Sequence, residues 1–321
     1  MKIRLGVIGL GQMAQRAYLP VLSSLETVEL AAVMSRRAEV VERIRAQYRL
    51  LAGATPPDTS GVPDLADLAR LNLQAAVVLT PSPTHFEIVK RLLEAGLDVL
   101  VEKPATTSSR ETAALGELAE QRGRVLMVAF NRRFAPLYSR AKELFSERKV
   151  TLCVAEKHRE RAVNPSLLAH YYEEDIHMID LLRWFGGEAQ AVATRSQMRD
   201  GKLVDAASLV AFEHGGVGVM AASLQGGGWL ERVTLHGESL TVQVDAFRQL
   251  RVLRGNQDEV AGREMAAQWI SSYEVRGFSQ LIGHFVECVQ KRQTPLTSAL
   301  ESFNTQKLLE DMVAKSTEEK P

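Results

Sequence analysis

The stretch Gly9-Leu-Gly-Gln-Met-Ala14 has the residue types and spacing to hold a pyrophosphate. Gly9 can make a sharp turn where a Cβ would clash. Gly11 lets the backbone come close to a phosphate, and Ala14 in the third position lets a helix pack closely on a strand. The amides of Gly9, Leu10, Gly11, Gln12 and Met13 are expected to face a dinucleotide at the positive end of the helix dipole. Ser35-Arg-Arg37 follows the apolar run Val28–Met34, at the strand end that meets the adenosine ribose. An acid at that position binds a 2′-hydroxyl; here there are two arginines and no acid. Ser35, Arg36 and Arg37 thus predict NADP(H) over NAD(H), against the alternative of two solvated arginines opening a helix. Two later apolar runs end in Thr80-Pro-Ser-Pro-Thr-His85 and Glu102-Lys-Pro104. Thr80, Pro81 and His85 predict a rigid loop at the cofactor, and Glu102 and Lys103 arrive at the same edge.

These clusters require a scaffold that lines up strand ends. Apolar runs at residues 2–8, Val28–Met34, 74–79, Asp98–Val101 and 125–130 read as buried parallel strands. Helical patterns lie between them: one after the glycine turn, then Ala38–Tyr48, 66–71, 86–95, and one from about Arg110 capped by Thr107 or Ser108. Residues 52–63, rich in Gly, Pro, Thr and Ser, read as loop. This alternation predicts a doubly wound parallel sheet over residues 1–125. The pattern changes over 126–321. A helix at 135–145, a strand at 151–157 and a helix covering 171–185 lead into consecutive strands from 189 to about 253. Turn signals such as Asp200-Gly201 and Gly226-Gly-Gly228 separate those strands, which predicts an antiparallel sheet. Two helices, at 277–290 and 298–315, precede a polar tail expected to fray. The fold class is α/β in the first part and α+β in the second.

Composition excludes several classes. Of 321 residues, 39 are Lys or Arg and 39 are Asp or Glu, so there is no global basic field for nucleic acid or an anionic membrane. Cys153 and Cys288 lack metal-ligand spacing and disulfide partners nearby, and no metal is expected. With no signal-peptide pattern and no long apolar run, a cytosolic location is expected. Alternating apolar residues of the second sheet, among them Val192, Leu209, Val219 and Leu235, suggest a homodimer or homotetramer through its outer face.

Five pieces in order resemble the Gfo/Idh/MocA family of oxidoreductases: Gly9-Leu-Gly-Gln-Met-Ala14, Thr80-Pro-Ser-Pro-Thr-His85, Glu102-Lys-Pro104, Asn131-Arg-Arg133, and Glu173-Glu-Asp-Ile-His-Met-Ile-Asp180. The resemblance covers essentially the whole chain. It implies an N-terminal Rossmann domain, a C-terminal domain with an open, mostly antiparallel sheet, and NAD(P)-dependent oxidation of a secondary alcohol or reduction of a carbonyl on sugars and cyclitols. It implies that Lys103 and His177 are catalytic; Glu173 and Arg133 are candidate substrate contacts, and Tyr171 or Tyr172 can line the pocket, with helical spacing placing at least one of the two in the core. Glu173 stands where the family usually has Asp, four residues before the histidine, and Asp175 stands for a frequent Gly. Those departures argue against a typical inositol dehydrogenase.

The chemistry is consistent with that implication. Hydride removal from an alcohol carbon leaves a proton, which a histidine can take near neutrality, while a lysine can stabilise charge on the same oxygen. The alternatives are a surface lysine and a helix-face histidine satisfied by Glu173. Arg159, or Arg161, can bind a substrate carboxylate or phosphate bidentately; a solvated loop self-paired through Glu156 and Glu160 is the competing reading. A redox-inactive NADP-binding sensor and a reductase of a non-sugar substrate are the rival functions. A sensor needs neither Lys103 nor His177, and a pocket of Tyr171, Tyr172 and Trp229 would favour the non-sugar substrate.

Overall fold

The computed structural model describes residues 2–50, 52–54, 72–160, 166–262 and 271–319. The chain packs as two compact units: residues 1–130 with 278–303, and residues 131–277 with 304–321.

The first unit is built on a six-stranded parallel sheet in the order β3-β2-β1-β4-β5-β6. The strands are β1 (Ile3–Ile8), β2 (Val28–Met34), β3 (Ala52–Ala54), β4 (Ala75–Val78), β5 (Asp98–Val101) and β6 (Leu126–Val128). β4, β5 and β6 are buried along their whole length, as continuous apolar runs in a parallel sheet should be when helices cover both faces. Residues 52–54, expected as loop, form the edge strand β3; the expected helix at 66–71 lies outside the described residues. The helix after the glycine turn has a π turn at Ala14–Tyr18, closed by the Leu19 amide on the Ala14 carbonyl. The cause is Pro20, which has no N–H and whose ring would collide with the carbonyl four residues back. Ser108 caps the helix Ser109–Gln121 through a 3.3 Å bond from the Glu111 amide.

The boundary expected after residue 125 falls elsewhere. β6 hydrogen-bonds to β5, so residues up to 130 stay with the first sheet. The helix Phe278–Lys291, expected in the second domain, returns to the first unit. There the Phe278 ring meets Tyr18 edge-on at 5.5 Å, and Arg292 bonds the buried Asp98 carboxylate at 2.7 Å. The other Asp98 oxygen accepts from the Val125 amide at 2.8 Å, which ties the helix to the sheet rim.

The second unit holds a nine-stranded sheet in the order β14-β13-β12-β11-β7-β10-β9-β8-β15. Its strands are β7 (Leu152–His158), β8 (Ala189–Arg199), β9 (Lys202–Phe212), β10 (Val217–Ser223), β11 (Leu230–Gly237), β12 (Leu240–Asp245), β13 (Gln249–Arg254), β14 (Gln257–Gly262) and β15 (Ser316–Glu319). All neighbours pair antiparallel except β7 with β10 and β8 with β15. Alternate residues, among them Ala155, Val210, Met220, Val233 and Val244, are buried on the inner face, against which the helix Ile176–Gly186 packs. Leu235, expected outside, is on that buried face. The polar tail expected to fray instead supplies β15, whose backbone bonds need no apolar side chains.

The helix that carries His177 is three pieces end to end: Leu167–His170, a π turn at Tyr171–Asp175, and Ile176–Gly186. It is anchored by Asp180, which receives two bonds from the Arg133 guanidinium at 2.9 and 2.7 Å and one from Thr305 at 3.2 Å. Among the described residues, no helix is long and apolar enough to cross a membrane.

Candidate active site

The nucleotide crevice forms where β1 and β4 lie side by side. Gly9 has φ +96°, and a Cβ there would sit 2.6 Å from the Leu79 carbonyl. Only glycine allows the two backbones to meet so closely. A cavity of about 600 Å³ opens above this contact, and Gly9, Leu10, Gly11, Ser35, Arg36, Arg37, Thr80 and Pro81 all line it. The first helical bond beyond it runs from the Gln15 amide to the Gly11 carbonyl at 3.2 Å. The amides of Gln12 and Met13 therefore precede the first intrahelical bond, which is the helix-terminus arrangement that attracts anions. A Cβ at Gly11 would meet nothing within 4 Å, so the loop is open on its outer side.

Arg36 and Arg37 are exposed, and among the described residues neither has a carboxylate partner. A further arginine escaped the sequence reading. Arg43 bonds the Gln15 amide oxygen at 2.9 Å, and the Gln15 nitrogen bonds the Leu10 carbonyl at 2.7 Å. Its distance in sequence from the glycine turn hides this link.

His85 has a different place from the one expected. It is 1% exposed, with one ring nitrogen 2.7 Å from the Thr80 carbonyl and the other 2.9 Å from the Pro104 carbonyl. It braces the Thr80 loop against the segment after Lys103 and does not line the cavity. The Lys103–Pro104 bond is cis. Glu102 is held by Tyr18, whose hydroxyl donates to one carboxylate oxygen at 2.7 Å, while the other accepts from the Lys103 amide at 3.0 Å. Burial, and then the Glu102 charge, raise the Tyr18 hydroxyl well above its ordinary range, so it stays a donor. Tyr18 is another positioning residue without a sequence signal, 84 residues from its partner.

In the second unit His177 is 5% exposed, near the start of Ile176–Gly186. Glu173 is exposed and sits within the π turn that precedes His177, so the simple α-helical spacing assumed for the pair does not apply. Arg133 is buried against Asp180 and anchors the helix; its guanidinium is taken up there and not offered to a substrate. The Tyr172 hydroxyl donates to Glu310 at 2.6 Å, and Tyr171 is core, bonded to Ser208 at 2.9 Å. The aromatic pocket of Tyr171, Tyr172 and Trp229 is therefore not formed. Asp175, read as a mere departure, pairs with His170 at 2.9 Å, both buried.

Arg159 bonds Glu174 at 2.7 Å, and Lys157 reaches both the Glu174 carbonyl and its carboxylate, the latter at 3.3 Å. Arg161 lies outside the described residues. Burial pushes the Glu174 carboxyl up, but the charges and hydrogen bonds of Lys157 and Arg159 outweigh it and bring it down to about 2. Burial in turn pulls the Lys157 ammonium below its ordinary range despite the charge of Asp175. Among the described residues, no group of His, Cys, Asp and Glu could hold a metal ion.

The sequence matches the family model described as an oxidoreductase family with an NAD-binding Rossmann fold over residues 3–130. It is 30% identical over 319 residues to the putative oxidoreductase YceM of Salmonella typhimurium, covering 96% of each chain. It is 23% identical over 252 residues to the NAD(+)-linked scyllo-inositol 2-dehydrogenase of Bacillus subtilis, 72% of this chain and 71% of that one. Its fold is shared by KijD10, a 3-ketoreductase of Actinomadura kijaniata solved with NADP and TDP-benzene, at a TM-score of 0.80, 20% identity and 99% coverage of both chains. This chain belongs to the Gfo/Idh/MocA oxidoreductase family. It is an NAD(P)-dependent oxidoreductase of the class acting on CH–OH groups.

A pH dependence follows from Glu174. A carboxyl depressed in the folded state stabilises the fold above its unfolded value and loses that contribution as pH falls through the folded one. Chemical denaturation of wild type and Glu174→Gln should show a constant stability difference above the ordinary carboxyl value of 4.5, shrinking as pH falls toward about 2. A difference that does not narrow on acidification contradicts the assignment.

Proposed function

We propose that this protein transfers hydride between NADP(H) and a secondary alcohol or carbonyl carbon of a sugar, cyclitol or related compound. The observation that carries the reading is the crevice in which Ser35, Arg36 and Arg37 follow β2 with no acid among them, in one cavity with Gly9, Gly11 and Thr80. The residues present fit the dinucleotide: the glycine turn is open outward, helix amides precede the first helical bond, and two guanidiniums with no carboxylate partner among the described residues suit a 2′-phosphate. The cofactor, when bound, accepts or donates the hydride.

The chain's own groups handle the proton and the charge. His177 takes the hydroxyl proton in oxidation and returns it in reduction. Lys103, at the end of β5, donates to a substrate oxygen and stabilises negative charge on it. Tyr18 and His85 fix the segments on either side of Lys103. Arg159 and Glu173 remain the side chains proposed to meet the substrate. A panel of sugars, cyclitols and aldehydes followed at the nicotinamide absorbance with both cofactors tests the reading; turnover of none of them, with NADPH still bound, favours a sensor.

The outer face of the second sheet is the proposed dimer or tetramer contact. Val192, Leu209 and Val217 are 52%, 40% and 40% exposed there, and Leu209 is paired across the ladder with Val219. Light scattering at micromolar concentration should give a multiple of the 35.5 kDa chain mass; a monomer refutes the contact.

Arg36→Ala should weaken NADPH binding by about 1.5–3 kcal/mol, the scale of a hydrogen bond to a charged group, and leave NADH nearly unchanged. Equal losses for both cofactors in calorimetry would remove the 2′-phosphate assignment. Lys103→Met keeps the stem and removes the donor. It should bind NADPH almost as wild type does, while turnover falls at least about a hundredfold. Activity within a few-fold of wild type would mean that Lys103 has another role.

A further inference from the structure

At one end of the second sheet, Arg132, Tyr138 and Arg276 gather around the ring of Phe247, and the charges of Lys157 and Arg159 act on Arg132 and Arg276. Arg132 lies over its ring at 5.4 Å and Arg276 at 5.0 Å from the ring centre. Tyr138 holds the ring edge-on at 6.3 Å. Lys157 and Arg159 come from the end of β7. The backbone behind Arg276 is fixed: its carbonyl accepts from the Asn131 side chain at 2.7 Å, and a Cβ on Gly277, at φ +80°, would strike the Asn131 carbonyl at 2.4 Å.

Among the described residues, the charges in this cluster do not balance. The Arg132 fork is taken up by Glu231, at 3.0 Å through two nitrogens, and by the Asn131 side-chain oxygen at 3.0 Å. Lys157 and Arg159 share Glu174. Asp175 is paired with His170, and Asp245 with Arg232. Arg276 is exposed, and among the described residues its guanidinium has no carboxylate or carbonyl partner. Arg159 gives only one of its nitrogens to Glu174. Partial burial, then the charge of Arg132, with Arg159 adding to it, pulls the Arg276 guanidinium below its ordinary range, against the opposing pull of Glu231. Like charges brought together on fixed backbone cost free energy unless an anion joins them. Planar guanidinium forks with spare donors match the oxygens of a carboxylate or phosphate.

We propose that Arg276, with the spare donors of Arg159, binds an oxyanion group of the substrate, a carboxylate or a phosphate. The ring of Phe247 and the Asn131 bond hold Arg276 in place for it. Glu174, which receives Arg159, lies in the π turn that leads directly into the helix carrying His177, so the anionic group would be held at the start of that helix. The substrate class narrows to acidic or phosphorylated sugars and cyclitols, with Arg276 as a specificity-determining residue. This rests on the reading of His177 as the group at the substrate oxygen.

The test uses full-length protein saturated with NADP(+), so that the cofactor's phosphate contacts are filled. Glucuronate, glucose 6-phosphate and inorganic phosphate are titrated by calorimetry, with glucose as the neutral control. At least one anion should bind about tenfold or more tightly than glucose, the ratio expected from one charge-assisted bond. Arg276→Gln should reduce that anion to the level of glucose and leave NADP(+) affinity unchanged; Arg276→Lys, a charge-keeping variant, should fall between. The stronger of glucuronate and glucose 6-phosphate distinguishes carboxylate from phosphate. Anion affinity no better than that of glucose, or unaltered in Arg276→Gln, overturns the proposal. Anion binding lost in Arg276→Gln without turnover of any sugar would keep this site and sink the oxidoreductase chemistry instead.

Discussion

The close passage of Gly9 over the Leu79 carbonyl is the constraint on which the first unit depends. A side chain at residue 9 would place a Cβ 2.6 Å from that carbonyl. It would push β1 and β4 apart at the point where they exchange the Leu79 amide and Ile8 carbonyl at 2.7 Å. The cavity exists because the two strand ends meet there and then diverge into different loops. One becomes the helix whose N-terminal amides face the opening; the other becomes the Thr80 loop, held by His85. β5 pairs with β4 in register, so Glu102 and Lys103 are set by the same ladder. The helix amides at the opening and the lysine are thus placed by backbone hydrogen bonds, which tolerate sequence change, around one position that does not.

The second unit relies on buried charge where the first relies on backbone. Glu231 is buried and keeps its carboxyl below the ordinary range: burial pushes it up, and the charge and two hydrogen bonds of Arg132 more than offset this. Tyr138 adds a third donor at 3.3 Å. Removing either partner would strand a charge out of water, so such a pair fixes a single arrangement more than it adds stability. Arg133 with Asp180 does the same for the His177 helix. Adjacent arginines of one motif, Arg132 and Arg133, serve different acids 99 and 47 residues away.

What could be read from the sequence was what local chemistry dictates. Glycine spacing, strand-end arginines and the Glu-Lys-Pro step declare themselves because each works through its immediate neighbours. Ser108 was legible as a cap for the same reason. The partners of long-range pairs were not: nothing in the pattern of Phe278–Lys291 says which sheet its apolar face covers. Ser316–Glu319 has no strand-like alternation, yet an edge needs only backbone groups to add a strand. The π turn at Tyr171–Asp175 has no proline to announce it, unlike the one before Pro20, and it alters how Glu173 stands to His177. Arg133 shows the limit of motif reasoning, since the same residue type serves equally well as a substrate clamp or a buried anchor.

The return of residues 278–303 to the first unit gives the chain an order of assembly. The chain crosses between the units three times, so no single cut in the sequence yields either as one continuous piece. During synthesis the first 130 residues emerge with their sheet complete in strands but missing the helix that meets Tyr18 and the arginine that meets Asp98. Those arrive only after the whole of residues 131–277 has been made. A nascent first unit must therefore wait with an apolar flank uncovered, and a ribosome stalled within the second sheet would leave it so.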